Sequence, residues 1–211
     1  MTILPEKNSA RLRRIRAEQF CLLAQRETSS VYRPHSEVLR MLAAGEAWAV
    51  CEHRSEPVEA LLTLPLNADT ACAAALREYL CWDGTQQGCI LTPPIGSAPQ
   101  QAPALAAAAV RRAAKLCGGG PVWAVLECTA GSEPLATAYL KQGFALRAIR
   151  PLDSLSPCYL FGFEGADAPA VEPIWVPLGE MGRVAALLAR GWAAVDSRPS
   201  PQGTALALCP V

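Results

Sequence analysis

The chain has 211 residues, of which 51% are hydrophobic and 18% are charged, and 19 lysines and arginines balance 19 aspartates and glutamates. A chain this apolar can bury a full core, which argues against an intrinsically disordered protein. A net charge of zero, with one short basic cluster at residues 11–14, argues against a nucleic-acid-binding protein. The length suits one large domain, or one domain with a small appendage.

Nine cysteines and two histidines are scattered along the chain, and no two cysteines have the C-x-x-C spacing. We therefore expect no metal centre and no secreted disulfide framework. Most of the cysteines lie among alanine, leucine and valine, where cysteine acts as a small core residue, so a reducing compartment is expected. Residues 1–14 carry charges where a signal peptide would need an apolar stretch, and no apolar run reaches the ~18 residues of a membrane span. These features predict a cytoplasmic protein that does not contact a membrane.

Two helices and a β-hairpin are predicted first. The pattern at residues 10–26 predicts a helix, although a short strand at 11–15 competes with it. A second helix is predicted at 35–44. Two strands at 46–52 and 57–66, joined by a polar turn, predict the hairpin.

The segments that follow alternate between helical and strand-like patterns. Helices are predicted at residues 68–80, 104–117 and 133–142, and strands at 88–92, 122–128, 144–149 and 158–163. The helix at 104–117 ends in basic residues followed by glycines, an order that the helix dipole favours. The nearly continuous apolar run at 122–128 is typical of a buried parallel strand.

A linker of small residues at 165–171 separates the last part of the chain, 172–211, which predicts a strand, a helix and two strands. About forty residues could hardly form an independent core. We therefore expect a main domain at 1–164 and a small extension at 172–211, packed on that domain or on a second subunit. The extension contains LLARGW, which resembles YLKQGF at 139–144, but one short match does not establish a repeat.

The order of elements from residue 10 to 163 resembles that of the GCN5-related N-acetyltransferase (GNAT) family. The most specific stretch is 126–144, LECTAGSEPLATAYLKQGF, which is similar to that family's element L-x-V-x-x-x-N-E-P-A-x-x-L-Y-x-x-x-G-F. The resemblance implies an α+β (α/β three-layer) fold. In such a fold a mixed, mainly antiparallel central sheet is flanked by helices, here with a C-terminal strand–helix–strand extension.

The resemblance also implies that acetyl-CoA binds as a cosubstrate, without a metal, in a V where the parallel strands at 88–92 and 122–128 splay apart. Its pyrophosphate would lie on the N-terminus of the helix that begins near Ala104, where free backbone N–H groups stabilise an anion. The residues implied in binding are Ile90, Leu91, Thr92, Gln101, Ala102, Ala104, Ala106 and Ser132.

Two departures from the family pattern affect this site. The family's asparagine falls on Ser132, whose hydroxyl can still cap the helix. The family's pyrophosphate loop, Q/R-x-x-G-x-G/A, falls on residues 101–106, which read Q-x-x-A-x-A. Alanine is tolerable at 104 and 106 if both φ angles are negative, and Pro103 removes one N–H donor.

For catalysis the resemblance implies that Tyr139 donates a proton to the leaving sulfur, as a general acid. A core tyrosine with a satisfied hydroxyl is the competing interpretation. A backbone N–H on the strand at 88–92 would polarise the acyl carbonyl. Glu127 is the candidate general base, although strand alternation could place it on the cleft side or on the opposite face. Glu78, Tyr79 and Asp83 are weaker candidates.

The leading hypothesis is an N-acetyltransferase that acts on a primary amine of a small molecule or a protein. The alternative is a catalytically weakened or inactive relative that serves as a binding or interaction protein. A third hypothesis is an acyltransferase for a longer acyl-CoA, with residues 172–211 shaping the pocket. The extension could also mediate a homodimer.

Overall fold

The computed structural model describes residues 12–26, 30–32, 34–51, 56–85, 87–97, 99–118, 120–129, 131–152, 156–163 and 171–211. These residues form one mixed β-sheet with helices on both faces. The helices are α1 (Ala17–Ala24), α2 (His35–Ala44), α3 (Ala71–Leu80), α4 (Ala102–Leu116), α5 (Glu133–Lys141) and α6 (Met181–Leu188). The strands are β1 (Leu12–Arg14), β2 (Glu46–Cys51), β3 (Pro57–Pro65), β4 (Cys89–Leu91), β5 (Ile95–Gly96), β6 (Val122–Glu127), β7 (Phe144–Leu152), β8 (Ser156–Phe163), β9 (Ile174–Pro177), β10 (Trp192–Ser200) and β11 (Gly203–Pro210). Two 3-10 turns span Ser30–Tyr32 and Pro99–Gln101.

The strands are arranged in the order β1-β2-β3-β4-β6-β8-β7-β10-β11-β9, and β5 pairs with β3 beside β4. Within the described part of the chain, β4 and β6 form a parallel pair and the other paired strands are antiparallel. The mixed, mainly antiparallel sheet that the resemblance implied is therefore confirmed.

Strand alternation divides the interior into two apolar cores, one on each face of the sheet. On β6, Ala124 and Leu126 face the core that contains α4, α5 and α6. Val125, between them, faces the core that contains α1, α2 and α3. Because successive side chains of a strand point to opposite faces, one continuous apolar run can supply both cores.

The helix predicted at 10–26 is wrong in its first part, where the competing strand is present instead. Leu12–Arg14 forms β1, in which Arg14 pairs with Trp48 of β2, and Ile15 continues the contact by donating to the carbonyl of Ala47 at 3.0 Å. Pairing with a distant strand satisfies these backbone groups, so α1 begins only at Ala17.

The unit β6–α5–β7–β8 is repeated in topology by β9–α6–β10–β11, and we call these the first and second units. In each, the opening strand pairs antiparallel with the last strand, and a helix leads into a hairpin. In each, a glycine with positive φ joins the helix to the hairpin, Gly143 at 87° and Gly191 at 81°. In each hairpin the register shifts early, after Leu146 in the first unit and after Ala194 in the second.

The two units meet where Leu146 of β7 pairs with Ala194 of β10. From either end of the order β6-β8-β7-β10-β11-β9, the opening strand of a unit comes first, then its last strand, then the first strand of its hairpin. The two units are therefore related by an approximate two-fold axis at this pair. Each helix also crosses the junction, since α5 packs on β10 and α6 packs on β7. The short sequence match between LLARGW and YLKQGF thus marks equivalent positions in the two units.

Cys89, at the start of β4, and Cys117, just after α4, are joined as a disulfide across a sequence separation of 28. Both side chains are buried in the apolar core, as their neighbours in the sequence predicted, whereas the bond between them was not predicted. Packing of α4 on β4 brings the two thiols together, which their spacing in the sequence did not indicate. Among the described helices, none combines the length and the apolarity that crossing a membrane requires.

Candidate functional site

A cleft opens where β4 and β6 stop being neighbours. The two strands pair in parallel over three residues, from Cys89 opposite Val122 to Leu91 opposite Ala124. Beyond Leu91 the chain turns away to form β5, which pairs with β3, while β6 continues to Glu127. The splayed pair of strands that the resemblance implied is therefore present.

The cleft encloses about 750 Å³. It is walled by the segment after β4, the end of β6 and the N-terminal ends of α4 and α5. Its lining residues are Glu59, Pro93, Pro94, Pro99, Gln100, Ala102, Pro103, Leu126, Glu127, Thr129, Gly131, Ser132, Pro134 and Leu135. Most of this surface is apolar, and two helix N-termini face it, so the cleft suits an elongated ligand with an apolar part and an anionic part.

The N-terminus of α4 lies at the cleft two residues earlier than predicted, because α4 begins at Ala102 and not near Ala104. Gln101 ends the preceding 3-10 turn and is the N-cap, without a side-chain capping bond. Pro103 occupies the first turn of the helix, where its missing N–H breaks no intrahelical bond.

The two alanines in the place of the family's glycines differ in their surroundings. Ala104 is exposed, whereas Ala106 is fully buried in the core beneath α4. Neither has a positive φ, so both fit the helix without strain. Ala102 and Pro103 line the cleft, and Ala104 is the next residue of the same turn.

Ser132 lines the cleft at the N-terminus of α5, but its hydroxyl does not cap that helix. It donates instead to the carbonyl of Thr129 at 2.7 Å. Since the N-cap residue itself has helical dihedrals, φ −83° and ψ −15°, its side chain is not placed to reach the backbone N–H groups of the first turn. The predicted capping role of Ser132 is therefore wrong, and its predicted place beside the cleft is the observed one.

Two carboxylates line the cleft from different strands. Glu127 is half-buried at the end of β6 and lines the cleft, although strand alternation places it on the same face of the sheet as Val125. Glu59 on β3 is buried, with an exposed fraction of 3%, and it also lines the cleft. The sequence analysis missed Glu59, although a carboxylate inside the apolar run at 58–62 is itself a signal, because burying a charge is costly unless a site uses it.

Tyr139 lies in the core beneath α5 and is fully buried. Its ring packs against Phe144 and Phe161, with centroid distances of 5.2 and 5.4 Å. Its hydroxyl has no hydrogen-bond partner within the described ranges, and Tyr139 is not among the residues that line the cleft. Burial raises the pKa of Tyr139, so the phenol stays protonated at neutral pH.

A second tyrosine, Tyr159 on β8, has its hydroxyl close to the cleft. The hydroxyl interacts with the side chains of Cys128 and Ser132, and it lies 3.3 Å from Met181 Sδ on α6. Burial is the main cause that raises the pKa of Tyr159. Met181 of the second unit therefore contacts Tyr159, whose hydroxyl in turn contacts Ser132 in the lining of the cleft.

The remaining predicted residues, in β4 and directly after it, do not line the cleft. Ile90, Leu91 and Thr92 are fully buried, and the N–H of Thr92 donates to the carbonyl of Leu62 at 3.0 Å. The amide of Thr92 is therefore committed to β3. Pro93 and Pro94, which follow, have no N–H, so the backbone donor expected for an acyl carbonyl is not found at the point where the strands diverge.

The weaker candidates lie away from the cleft. Glu78 and Tyr79 line a separate cavity next to α3, with Arg150. Asp83 accepts hydrogen bonds from the backbone and the hydroxyl of Thr85, which lowers the pKa of Asp83. These contacts indicate structural roles.

No protein-family model matches the sequence, and no curated protein matches it significantly. Solved structures do match. FeeM, an N-acyl amino acid synthase from uncultured soil microbes, is 10% identical with a TM-score of 0.54, over 72% of this chain and 88% of its own. NAA60 of Arabidopsis thaliana, solved in complex with acetyl-CoA, is 13% identical with a TM-score of 0.50, over 72% and 96%. A candidate acetyltransferase of the GNAT family from Desulfovibrio desulfuricans is 18% identical with a TM-score of 0.49, over 73% and 98%.

At these identities the likeness concerns the fold. The solved structures cover nearly three quarters of this chain, which leaves room for the additional second unit. The strand order, the parallel pair at the cleft and the matches to FeeM and NAA60 agree with the resemblance found in the sequence, and we conclude that the described part of the chain has the fold of the GCN5-related N-acetyltransferases.

Proposed function

We propose that the protein is an acyl-CoA-dependent N-acetyltransferase that acetylates a primary amine. The observation that carries the proposal is the divergence of β4 and β6 around a cleft of about 750 Å³ that meets the N-terminus of α4. An extended thioester fits such a cleft, and its phosphates suit the end of a helix. The fold matches to an N-acyl amino acid synthase and to a protein solved with acetyl-CoA support the same chemistry.

The N-terminus of α4 would hold the pyrophosphate. Backbone N–H groups at the start of a helix have no intrahelical acceptor, and the helix dipole adds positive potential there. Pro103 removes one donor, which leaves Ala102 and Ala104 to supply N–H groups in the first turn. The pantetheine arm would lie along the apolar wall formed by Pro93, Pro94 and Leu126.

The thioester supplies an acyl group that a deprotonated amine can attack, and the thiolate that leaves must then take up a proton. We assign that proton to Tyr139, which holds the tyrosine position of the stretch 126–144 and whose buried hydroxyl lacks a partner within the described residues, although burial raises its pKa and so makes it a weaker acid. Glu127 and Glu59 are the carboxylates of the cleft that could accept a proton from the amine, directly or through water.

A non-catalytic binding protein is the second candidate function. Two observations favour it, since Tyr139 does not line the cleft and the loop before α4 has alanines in place of glycines. Under this alternative acetyl-CoA would bind, but no amine would be acetylated.

Binding and turnover can be measured separately. Acetyl-CoA in excess should raise the Tm of the purified protein by mass action, whereas S-acetylpantetheine, which lacks the pyrophosphate, should raise it less. Release of free thiol in the presence of a panel of amines then reports acetyl transfer. Stabilisation without thiol release for any amine would favour the binding protein, and the absence of stabilisation would contradict both functions.

A further inference from the structure

The segment between β4 and β5 contains a bulge that opens the cleft. Thr63 of β3 pairs with Leu91, the last residue of β4. Ala60 of β3 pairs with Ile95, the first residue of β5. Between these two pairs β3 has two residues, whereas the opposite segment has three, residues 92–94. The extra residue displaces this segment from the ladder, as in a β-bulge, and turns it into the wall of the cleft.

Tyr32 holds this bulge from the other face of the sheet. The single proton of its hydroxyl is shared between two acceptors, Thr92 Oγ1 at 2.6 Å and the carbonyl oxygen of Pro93. Thr92 Oγ1 in turn accepts the backbone N–H of Leu62 at 2.9 Å. Thr92 is fully buried and Tyr32 is 3% exposed, so these bonds are shielded from water.

The bonds replace ladder hydrogen bonds that the bulge disrupts. In a regular ladder the N–H of Leu62 would donate to a carbonyl of the opposite strand, whereas here it donates to a side-chain oxygen, Thr92 Oγ1. The carbonyl of Pro93, turned out of the ladder, is satisfied by Tyr32. Buried backbone groups that lose such partners carry a desolvation penalty, so the geometry of the bulge depends on both hydroxyls.

Tyr32 is itself anchored on the face opposite to α4 and α5. It ends the 3-10 turn Ser30–Tyr32 between α1 and α2, and its ring packs edge-on against Phe20 of α1 with a centroid distance of 5.7 Å. A side chain from the α1–α2 connection therefore contacts the segment between β4 and β5, which forms the wall of the cleft.

We infer that Tyr32 is a positioning residue, which acts through Thr92 and Pro93 to fix the cleft wall against which the acyl-CoA arm lies. This inference rests on the proposed function for the identity of the ligand. The position of the wall itself is a property of the chain and can be measured without any ligand.

The test compares the affinity for acetyl-CoA of Tyr32→Phe with that of the wild-type protein, by calorimetric titration. Loss of the hydroxyl should raise Kd by up to about tenfold, the usual effect of one hydrogen bond. Thr92→Val should act similarly, and Thr92→Ser, which keeps the hydroxyl, should bind like the wild-type protein. If turnover is detected, KM should rise more than kcat falls, because the wall contacts the ligand before and during the reaction.

Tyr79→Phe is the matched control. Its hydroxyl donates to the carbonyl of Arg147 at 3.4 Å, away from the cleft, so its loss should leave Kd unchanged. An unchanged Kd in Tyr32→Phe, or an equal increase in Tyr79→Phe, would overturn the inference.

Amide hydrogen exchange of Leu62 tests the inference without a ligand. Its N–H donates to Thr92 Oγ1, so exchange should be faster in Tyr32→Phe than in the wild-type protein or in Tyr79→Phe. If the wild-type protein fails to bind acetyl-CoA but this exchange is accelerated, the proposed function is wrong and the bulge is still held by Tyr32. Unchanged exchange at Leu62 would overturn the role of Tyr32 itself.

Discussion

Leu146 and Ala194 are paired across the junction of β7 and β10, and each holds the same place in its own unit. Both are fully buried or nearly so, and each directly precedes the register shift of its hairpin. The second unit thus extends the sheet beyond β7, and its strands are arranged in the same way as those of the first unit. An edge strand that would otherwise present unpaired N–H and C=O groups is covered by the chain itself.

Equivalence of the two units predicts that their turns respond alike to substitution. Gly143→Ala and Gly191→Ala should each lower the free energy of unfolding by about 1–2 kcal/mol, because both glycines have φ above 80°. Gly182→Ala, in the first turn of α6 with open space around it, should instead be neutral or stabilising by up to about 1 kcal/mol. Denaturant unfolding of the three variants measures these differences. A neutral Gly191→Ala beside a costly Gly143→Ala would show that the two turns are not equivalent.

Tyr139→Phe should lower activity without lowering stability. The substitution removes a buried hydroxyl that has no partner among the described residues, so the free energy of unfolding should stay constant or rise by about 1 kcal/mol. If Tyr139 donates the proton to the thiolate, kcat should fall by roughly 100-fold or more. Thermal unfolding and thiol-release kinetics measure the two effects.

Tyr159→Phe is the control for that assignment. Its hydroxyl interacts with Ser132 and Met181, so its loss should cost about 1 kcal/mol of stability while kcat changes only a few-fold. The reverse outcome, with kcat lost in Tyr159→Phe and retained in Tyr139→Phe, would assign proton donation to Tyr159.

Ala104→Asp should weaken acetyl-CoA binding while it stabilises the fold. A carboxylate in the first turn of α4 interacts favourably with the helix dipole, by about 0.3–1 kcal/mol, but it repels a pyrophosphate at the same helix end. We expect Kd to rise about fivefold at low salt, and the effect to shrink as salt screens the charges. Ala74→Asp places the same charge on an exposed position of α3, on the other face of the sheet, and should leave Kd unchanged. Equal effects of the two substitutions would place the pyrophosphate elsewhere.

Stability should decline at alkaline pH, in part because of Cys72. Burial, with a smaller contribution from Glu37, raises the pKa of this thiol from 9.0 to about 12. Because the pKa is higher in the folded state than in the unfolded state, the stabilisation is complete below pH 9 and is lost as pH rises towards 12. Urea unfolding between pH 7 and 11 should show a shallower decline for Cys72→Ala than for the wild-type protein. Cys81→Ala, at an exposed cysteine, should follow the wild-type curve, and an equally steep curve for Cys72→Ala would contradict the prediction.

Local patterns in the sequence were sufficient to predict most of the elements. The alanine-rich helix α4, the apolar strand β6 and the helix that ends at Gly143 all have signals within a few residues, from propensity, periodicity and the stop at a glycine. The stretch 126–144 combined three such elements in order, which is why it was enough to indicate the fold and the place of the cleft.

Several features of the fold and of the cleft depend on pairing between segments that are distant in the sequence. β1 replaced the start of a predicted helix because β2 was there to pair with it, and the second unit became part of the sheet because Ala194 meets Leu146. Glu59 reached the cleft from β3, and Tyr32 reached the bulge behind the cleft wall from a turn that is distant in sequence. The sequence by itself determined most of the helices and strands, since those depend on neighbouring residues, and β1 is an exception. The side chains that meet at the cleft were decided by long-range packing and hydrogen bonding, which no local pattern encodes.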